Sequence, residues 1–173
     1  SRPTLLAALT DLFVQRPSPD GNEINNFEEL ALQLIPDADA GTRAHVAARL
    51  ARHPYAPCSV IDALLQSDRA SATILVEHSP RIGIDTLLSM AEKGTPEEAA
   101  VVARRTGIEP DLVRALAERP DTGVVCALAA NRDAQFEPRT LAALIERARR
   151  CPQLARLLCA RISDTRLITP LFL

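Results

Sequence analysis

A four-residue pattern, an apolar residue, a compact apolar one, a third of mixed character and then a polar one, returns five times along this chain. It reads Leu50-Ala51-Arg52-His53, Leu75-Val76-Glu77-His78, Val102-Ala103-Arg104-Arg105, Leu128-Ala129-Ala130-Asn131 and Leu158-Cys159-Ala160-Arg161. The first four are followed by short turns, Pro54-Tyr55-Ala56-Pro57, Pro80-Arg81-Ile82-Gly83, Thr106-Gly107-Ile108 and Arg132-Asp133-Ala134. An apolar pair comes next in each case: Leu64-Leu65, Leu87-Leu88, Leu116-Ala117 and Leu144-Ile145. A period in the twenties holds two short helices, and a hairpin of two such helices cannot bury its apolar face alone. Stacking of hairpins makes the core continuous. The expected fold is therefore all-α: a right-handed α-solenoid with a period of about 25–30 residues.

Local signals agree with that frame. From Pro80 onward, prolines fall at positions 80, 96, 110, 120, 138, 152 and 170, each window long enough for one short helix. Thr95-Pro96-Glu97-Glu98 and Glu109-Pro110-Asp111 place proline at the first helical position with acids in the first turn. Between prolines the apolar spacing is helical, as in Val46, Ala47, Leu50 and Ala51, or Ile84, Leu87, Leu88 and Ala91. Ala and Leu dominate the apolar residues, whereas Phe and Tyr number four and one and Trp is absent. That bias favours helix over strand. Deep burial is expected at Leu50, Leu64, Leu75, Leu87, Leu116, Leu128, Leu144 and Leu158.

The 173 residues read as one helical-repeat domain. Residues 1–41 form an acidic capping hairpin with helices expected over Thr4–Gln15 and Asn25–Ile35. Repeats follow at 42–69, 70–94, 95–121 and 122–150, and 151–173 is a last hairpin that reads as truncated. Its apolar end, Leu167, Ile168, Leu171, Phe172 and Leu173, is expected to be covered, with a two-fold homodimer through this hairpin as one way to do it. No apolar run approaches the roughly 18 residues that span a bilayer, so no membrane insertion is expected. Cys58, Cys126, Cys151 and Cys159 show no CxxC pairing and fit core positions, which points to a reducing, cytoplasmic setting.

Taken together, these segments resemble a proteobacterial domain-of-unknown-function family built of HEAT-like helical hairpins, similar in appearance to leucine-rich-variant repeats. The likeness rests on Leu9-Thr10-Asp11-Leu12-Phe13, Phe27-Glu28-Glu29-Leu30, Arg43 with Val46-Ala47-Ala48-Arg49-Leu50-Ala51, Ala56-Pro57, Ser79-Pro80, Ala103-Arg104-Arg105, Leu128-Ala129-Ala130-Asn131 and Cys159-Ala160-Arg161. It spans nearly the whole chain but consists of helix-packing and turn positions. It implies the fold and brings no catalytic motif.

Candidate chemistry is sparse. His53, His78, Arg105, Asn131 and Arg161 occupy equivalent repeat positions and read as a structural polar ladder, each able to donate to unpaired carbonyls at a helix end. Arg and Asn at the later positions do not make a zinc shell, so no metal is expected. Glu28-Glu29 and Glu97-Glu98 are expected to open helices and complement their dipoles. There is no phosphate loop, dinucleotide fingerprint, metalloprotease helix or nucleophile elbow, and neither catalytic residue nor cofactor is assigned.

Charge is uneven although the net value is only -2. Residues 1–42 carry two Arg against seven acids, and residues 139–173 carry seven Arg against Glu146 and Asp164. Arg139, Arg147, Arg149, Arg150, Arg156 and Arg161 form the candidate anion- or partner-binding cluster. Two functions from different classes follow. One is a non-enzymatic scaffold binding a protein or peptide partner. The alternative is anion or nucleic-acid binding through the Arg-rich C-terminal hairpins.

Overall fold

The structure, a computed structural model, describes residues 2–162. Among these residues it is all-helical, with eleven helices: α1 Arg2–Val14, α2 Gly21–Leu34, α3 Ala40–Leu50, α4 Cys58–Ser67, α5 Arg69–His78, α6 Ile84–Lys93, α7 Pro96–Ala103, α8 Pro110–Glu118, α9 Thr122–Ala130, α10 Pro138–Ala148 and α11 Pro152–Ile162. The apolar end from Leu167 to Leu173, with the dimer expected there, lies outside the described residues.

Short polar side chains start these helices. Asp20 accepts from the Glu23 backbone N–H at 2.8 Å while Glu23 Oε2 accepts from the Asp20 N–H at 3.1 Å, a reciprocal box that satisfies two donors. This box starts α2 at Gly21, a full turn ahead of the Asn25 expected from the apolar pattern alone. Thr95 and Glu98 repeat the device at α7, with Pro96 in the first turn. Pro110 and Pro138 open α8 and α10. Glycine is required after α6, because a Cβ on Gly94 would lie 2.4 Å from the Met90 carbonyl oxygen. Gly107 turns the chain out of α7 with a φ of 62°, a left-handed conformation that costs other residues energy.

The chain forms two compact units that meet in sequence between Ile84 and Asp85. In the first, α1, α3 and α5 pack in succession, and α2 and α4 form a second row. In the second, α7, α9 and α11 make one row, and α8 and α10 the other. The eight leucines expected at the core are all buried. The cysteines are not: Cys126 is buried and Cys151 partly so, but Cys58 and Cys159 are exposed, Cys58 because it opens α4 and Cys159 because its neighbour Leu158 takes the inward face of α11. Helix α9 shows why a row needs flanking neighbours: TGVVCALAA contains no charge, and Val124, Val125, Cys126, Leu128 and Ala129 are all buried among α7, α8 and α11. A helix that is apolar on most sides is stable only when covered on most sides.

Asp68, which caps α5, gives the first expected result. Its carboxylate accepts from the Ser71 N–H and hydroxyl, both at 2.9 Å, and lies 3.3 Å from Arg43 Nε. Burial pushes this carboxyl up, but Ser71, Ser67 and Arg43 together outweigh it, so it titrates below its ordinary value. A lowered folded value contributes stability above the ordinary carboxylate range, and that stability is lost as pH falls through the folded value. Asp68→Ala is expected to cost about 1 kcal/mol at neutral pH, as lost N-caps do. The difference from wild type should narrow below about pH 4. Urea titrations at pH 7 and pH 3 check this, and an equal difference at both would contradict it.

Candidate functional site

The most ordered polar constellation lies at the helix C-termini of the second unit, where the last carbonyls of a helix have no partner within it. Asn131, the C-cap of α9, donates from Nδ2 to the carbonyls of Ala103 and Arg105 at the end of α7, both at 2.8 Å. One helix on in the same row, Arg161 of α11 donates to the carbonyls of Ala129 at 3.2 Å, Asn131 and Ala134. Its guanidinium also sits 4.7 Å from the centroid of Phe136. Burial pushes the Arg161 guanidinium down from its ordinary value.

A matching set joins the other row. Arg119, the C-cap of α8, donates to Ala91 at 2.9 Å, Glu92 at 3.3 Å and Gly94 at 3.1 Å around the end of α6, while its Nε pairs with Asp121 at 2.9 Å. Arg147 of α10 donates to Ala117 at 3.1 Å, Arg119 at 2.5 Å and Pro120 at 3.1 Å around the end of α8. Each cation meets the negative end of a helix dipole and fills several carbonyls at once, which the planar guanidinium does better than an ammonium.

The six arginines of the C-terminal cluster therefore divide. Arg147 and Arg161 are engaged with backbone carbonyls, whereas Arg139, Arg149, Arg150 and Arg156 are more open to solvent. Arg149 lies 3.3 Å from Glu146. Of the ladder residues, Asn131 and Arg161 donate as described. Arg105 is buried, with Nε 3.4 Å from Glu109. His53 does something different from the expected donation. Its ring rests 5.1 Å from Phe13 and its Nδ1 accepts from the Tyr55 N–H at 3.4 Å, because a histidine placed beyond the end of α3 meets the α1 aromatic first. His78 is the last residue of α5, with Nε2 4.0 Å from Glu77. Among the described residues no group of three His, Cys, Asp or Glu side chains converges as a metal shell would, and no helix is long and apolar enough to cross a membrane.

Arg119 is the residue that the sequence pattern leaves unmarked in the five-fold signature. A second pattern carries it: Leu116-Ala117-Glu118-Arg119 and Leu144-Ile145-Glu146-Arg147 repeat a Leu-apolar-Glu-Arg motif one period apart.

Two concave features accompany these ladders. In the second unit, a cleft of about 270 Å³ is lined by Thr122, Val125, Arg147, Arg150, Cys151 and Leu154. In the first unit, a groove of about 260 Å³ runs between α1 and α2, with Leu9, Leu12 and Phe13 on one wall and Phe27 and Leu30 on the other. Phe13 and Phe27 stack at its floor with ring centroids 4.1 Å apart. Arg16, Glu23 and Asn26 are its polar members, and Arg16 lies 3.5 Å from Glu23.

No curated protein and no solved structure matches this chain. A family model described as an uncharacterised protein conserved in bacteria, DUF2336, matches residues 71–165, more than half of the sequence. The matched stretch contains Arg119, Asn131, Arg147 and Arg161. The chain belongs to the DUF2336 family.

Proposed function

We propose that this chain is a non-enzymatic scaffold of HEAT-like helical hairpins that binds an apolar helical segment of a protein partner. The observation that carries this reading is the α1–α2 groove. Leu9 and Leu12 line it from α1, with Leu12 64% exposed, and Leu5, one turn before Leu9 on the same face but outside the groove lining, is 57% exposed. Leu30, on the opposite wall, is 45% exposed. An amphipathic helix laid in such a groove would cover these leucines with its own apolar stripe. Four cysteines held as thiols fit a reducing cytoplasmic setting for the interaction.

The alternative, anion or nucleic-acid binding, draws on Arg139, Arg149, Arg150 and Arg156. It is weakened because Arg147 and Arg161 already fill backbone carbonyls. A pull-down from a bacterial lysate with wild type and with Leu12→Asp/Leu30→Asp separates the two readings. The groove reading expects the partner to be lost in the double variant and retained by wild type from low salt to about 0.5 M, since apolar contacts are not screened. Binding that survives the double variant but weakens steeply with salt, as phosphate contacts do, would overturn it.

A further inference from the structure

We propose that the cleft of the second unit, formed by the start of α9, the end of α10 and the start of α11, binds the phosphate group of a small phosphate monoester. Thr122, Val125, Arg147, Arg150, Cys151 and Leu154 line its space of about 270 Å³, so two guanidiniums and a hydroxyl border it and no Asp or Glu does. The site shares no residue with the α1–α2 groove and does not depend on what that groove holds.

The two arginines contribute differently. Arg147 is fixed: its Nη1 donates to the Ala117 and Arg119 carbonyls and its Nη2 to that of Pro120. Those bonds leave its Nε–H and one Nη2 proton for another acceptor, because every nitrogen of a guanidinium is a donor. Arg150 is exposed, and among the described residues its side chain makes no hydrogen bond or ion pair. Two like charges beside one cleft repel, and an anion between them replaces that repulsion with attraction. Acids close in sequence are matched by arginines outside the lining. Asp121, the N-cap of α9, makes no cap hydrogen bond with its side chain and is held by Arg119 at 2.9 Å, and Glu146 lies 3.3 Å from Arg149.

Phosphate suits this donor set better than carboxylate. The uncommitted protons of Arg147, the planar fork of Arg150 and the Thr122 hydroxyl outnumber the oxygens of a carboxylate, whereas a phosphate monoester offers three terminal oxygens and a charge near minus two. A phosphodiester, with one charge and fewer free oxygens, matches less well. Val125 and Leu154, both buried, form an apolar floor that suits a short hydrocarbon substituent on the phosphate.

The test is an NMR titration of the full chain, labelled with nitrogen-15, with butyl phosphate and with pentanoate. Ionic strength is held at about 0.15 M, where exposed charges are screened beyond about 8 Å. Butyl phosphate should give saturable shifts at the Arg147 and Arg150 Nε–H signals and the Thr122 amide, with little movement at Arg139, Arg149 and Arg156. It should bind at least about ten-fold tighter than pentanoate, which has one oxygen and one charge fewer. Arg150→Gln should weaken butyl phosphate at least about ten-fold, and it leaves every carbonyl bond of Arg147 in place. Arg139→Gln, outside the lining, should change binding less than about two-fold. Three results on the wild-type chain would each overturn the proposal: no saturable shift, equal shifts at all the exposed arginines, or pentanoate bound as tightly as butyl phosphate. Undiminished binding by Arg150→Gln would overturn it as well.

Discussion

Leu128→Ala is expected to lower the unfolding free energy by about 2 to 5 kcal/mol, the range for truncating a fully buried leucine whose cavity cannot collapse. Leu128 is 0% exposed and sits on α9, which is held between α7 and α11 in one row and backed by α8. With neighbours on three sides, no helix can move in to fill the void without leaving another contact. A loss of this size is a large part of the roughly 5–15 kcal/mol by which a domain is ordinarily stable. Urea or thermal denaturation checks it, and a transition unmoved from wild type would show that α9 is not the centre of the second unit.

Arg119→Met should cost about 3 kcal/mol, although it exchanges a surface-prone charge for an apolar side chain of similar length. Hydrogen bonds to a charged donor are worth about 1.5 to 3 kcal/mol, and carbonyls left dry and unpaired add to the loss. Arg119 is nearly covered, with 12% of its side chain exposed, and it serves Ala91, Glu92 and Gly94 together. Arg119→Lys should recover little, because one ammonium cannot reach three carbonyls in the plane that the guanidinium fork fits. Equal stability of the lysine variant and wild type would reduce the role of Arg119 to charge alone.

The helices are readable because their signals are local. Pro96, Pro110 and Pro138 fix where helices begin, and the leucine pairs fix which side turns inward. The helical period carries that information within a dozen positions. The ends of helices are harder. Asn131 and Arg161 can be placed in a ladder from their repeat positions, but Arg147 looks like an anion ligand in the sequence, which shows a positive charge and not that its side chain folds back to carbonyls of the preceding hairpin. Arg119 is hidden for a related reason: it stands just before Pro120, in what reads as a turn. The start of α2 is displaced from the apolar pattern because Asp20 and Glu23 form their box ahead of it. The α1–α2 groove is invisible at that level too. Leu5, Leu9 and Leu12 have the spacing of a core stripe, and only the packing of α2 on α1 reveals which of them are left uncovered.

The four helix-end donors of the second unit all reach in one direction, from a later segment to an earlier one. This gives the unit a polarity in time. As the chain leaves the ribosome, the carbonyls at the end of α6 are hydrated until Arg119 emerges, and those at the end of α8 until Arg147 arrives. Each newly made hairpin thus latches the one before it, and its own end stays wet until its successor is made. Nascent chains halted between Gly94 and Arg119 should leave the α6 carbonyls hydrated, whereas chains halted well beyond Arg119 should have them covered. Assembly of this unit can therefore keep pace with synthesis, about one latch behind the growing end.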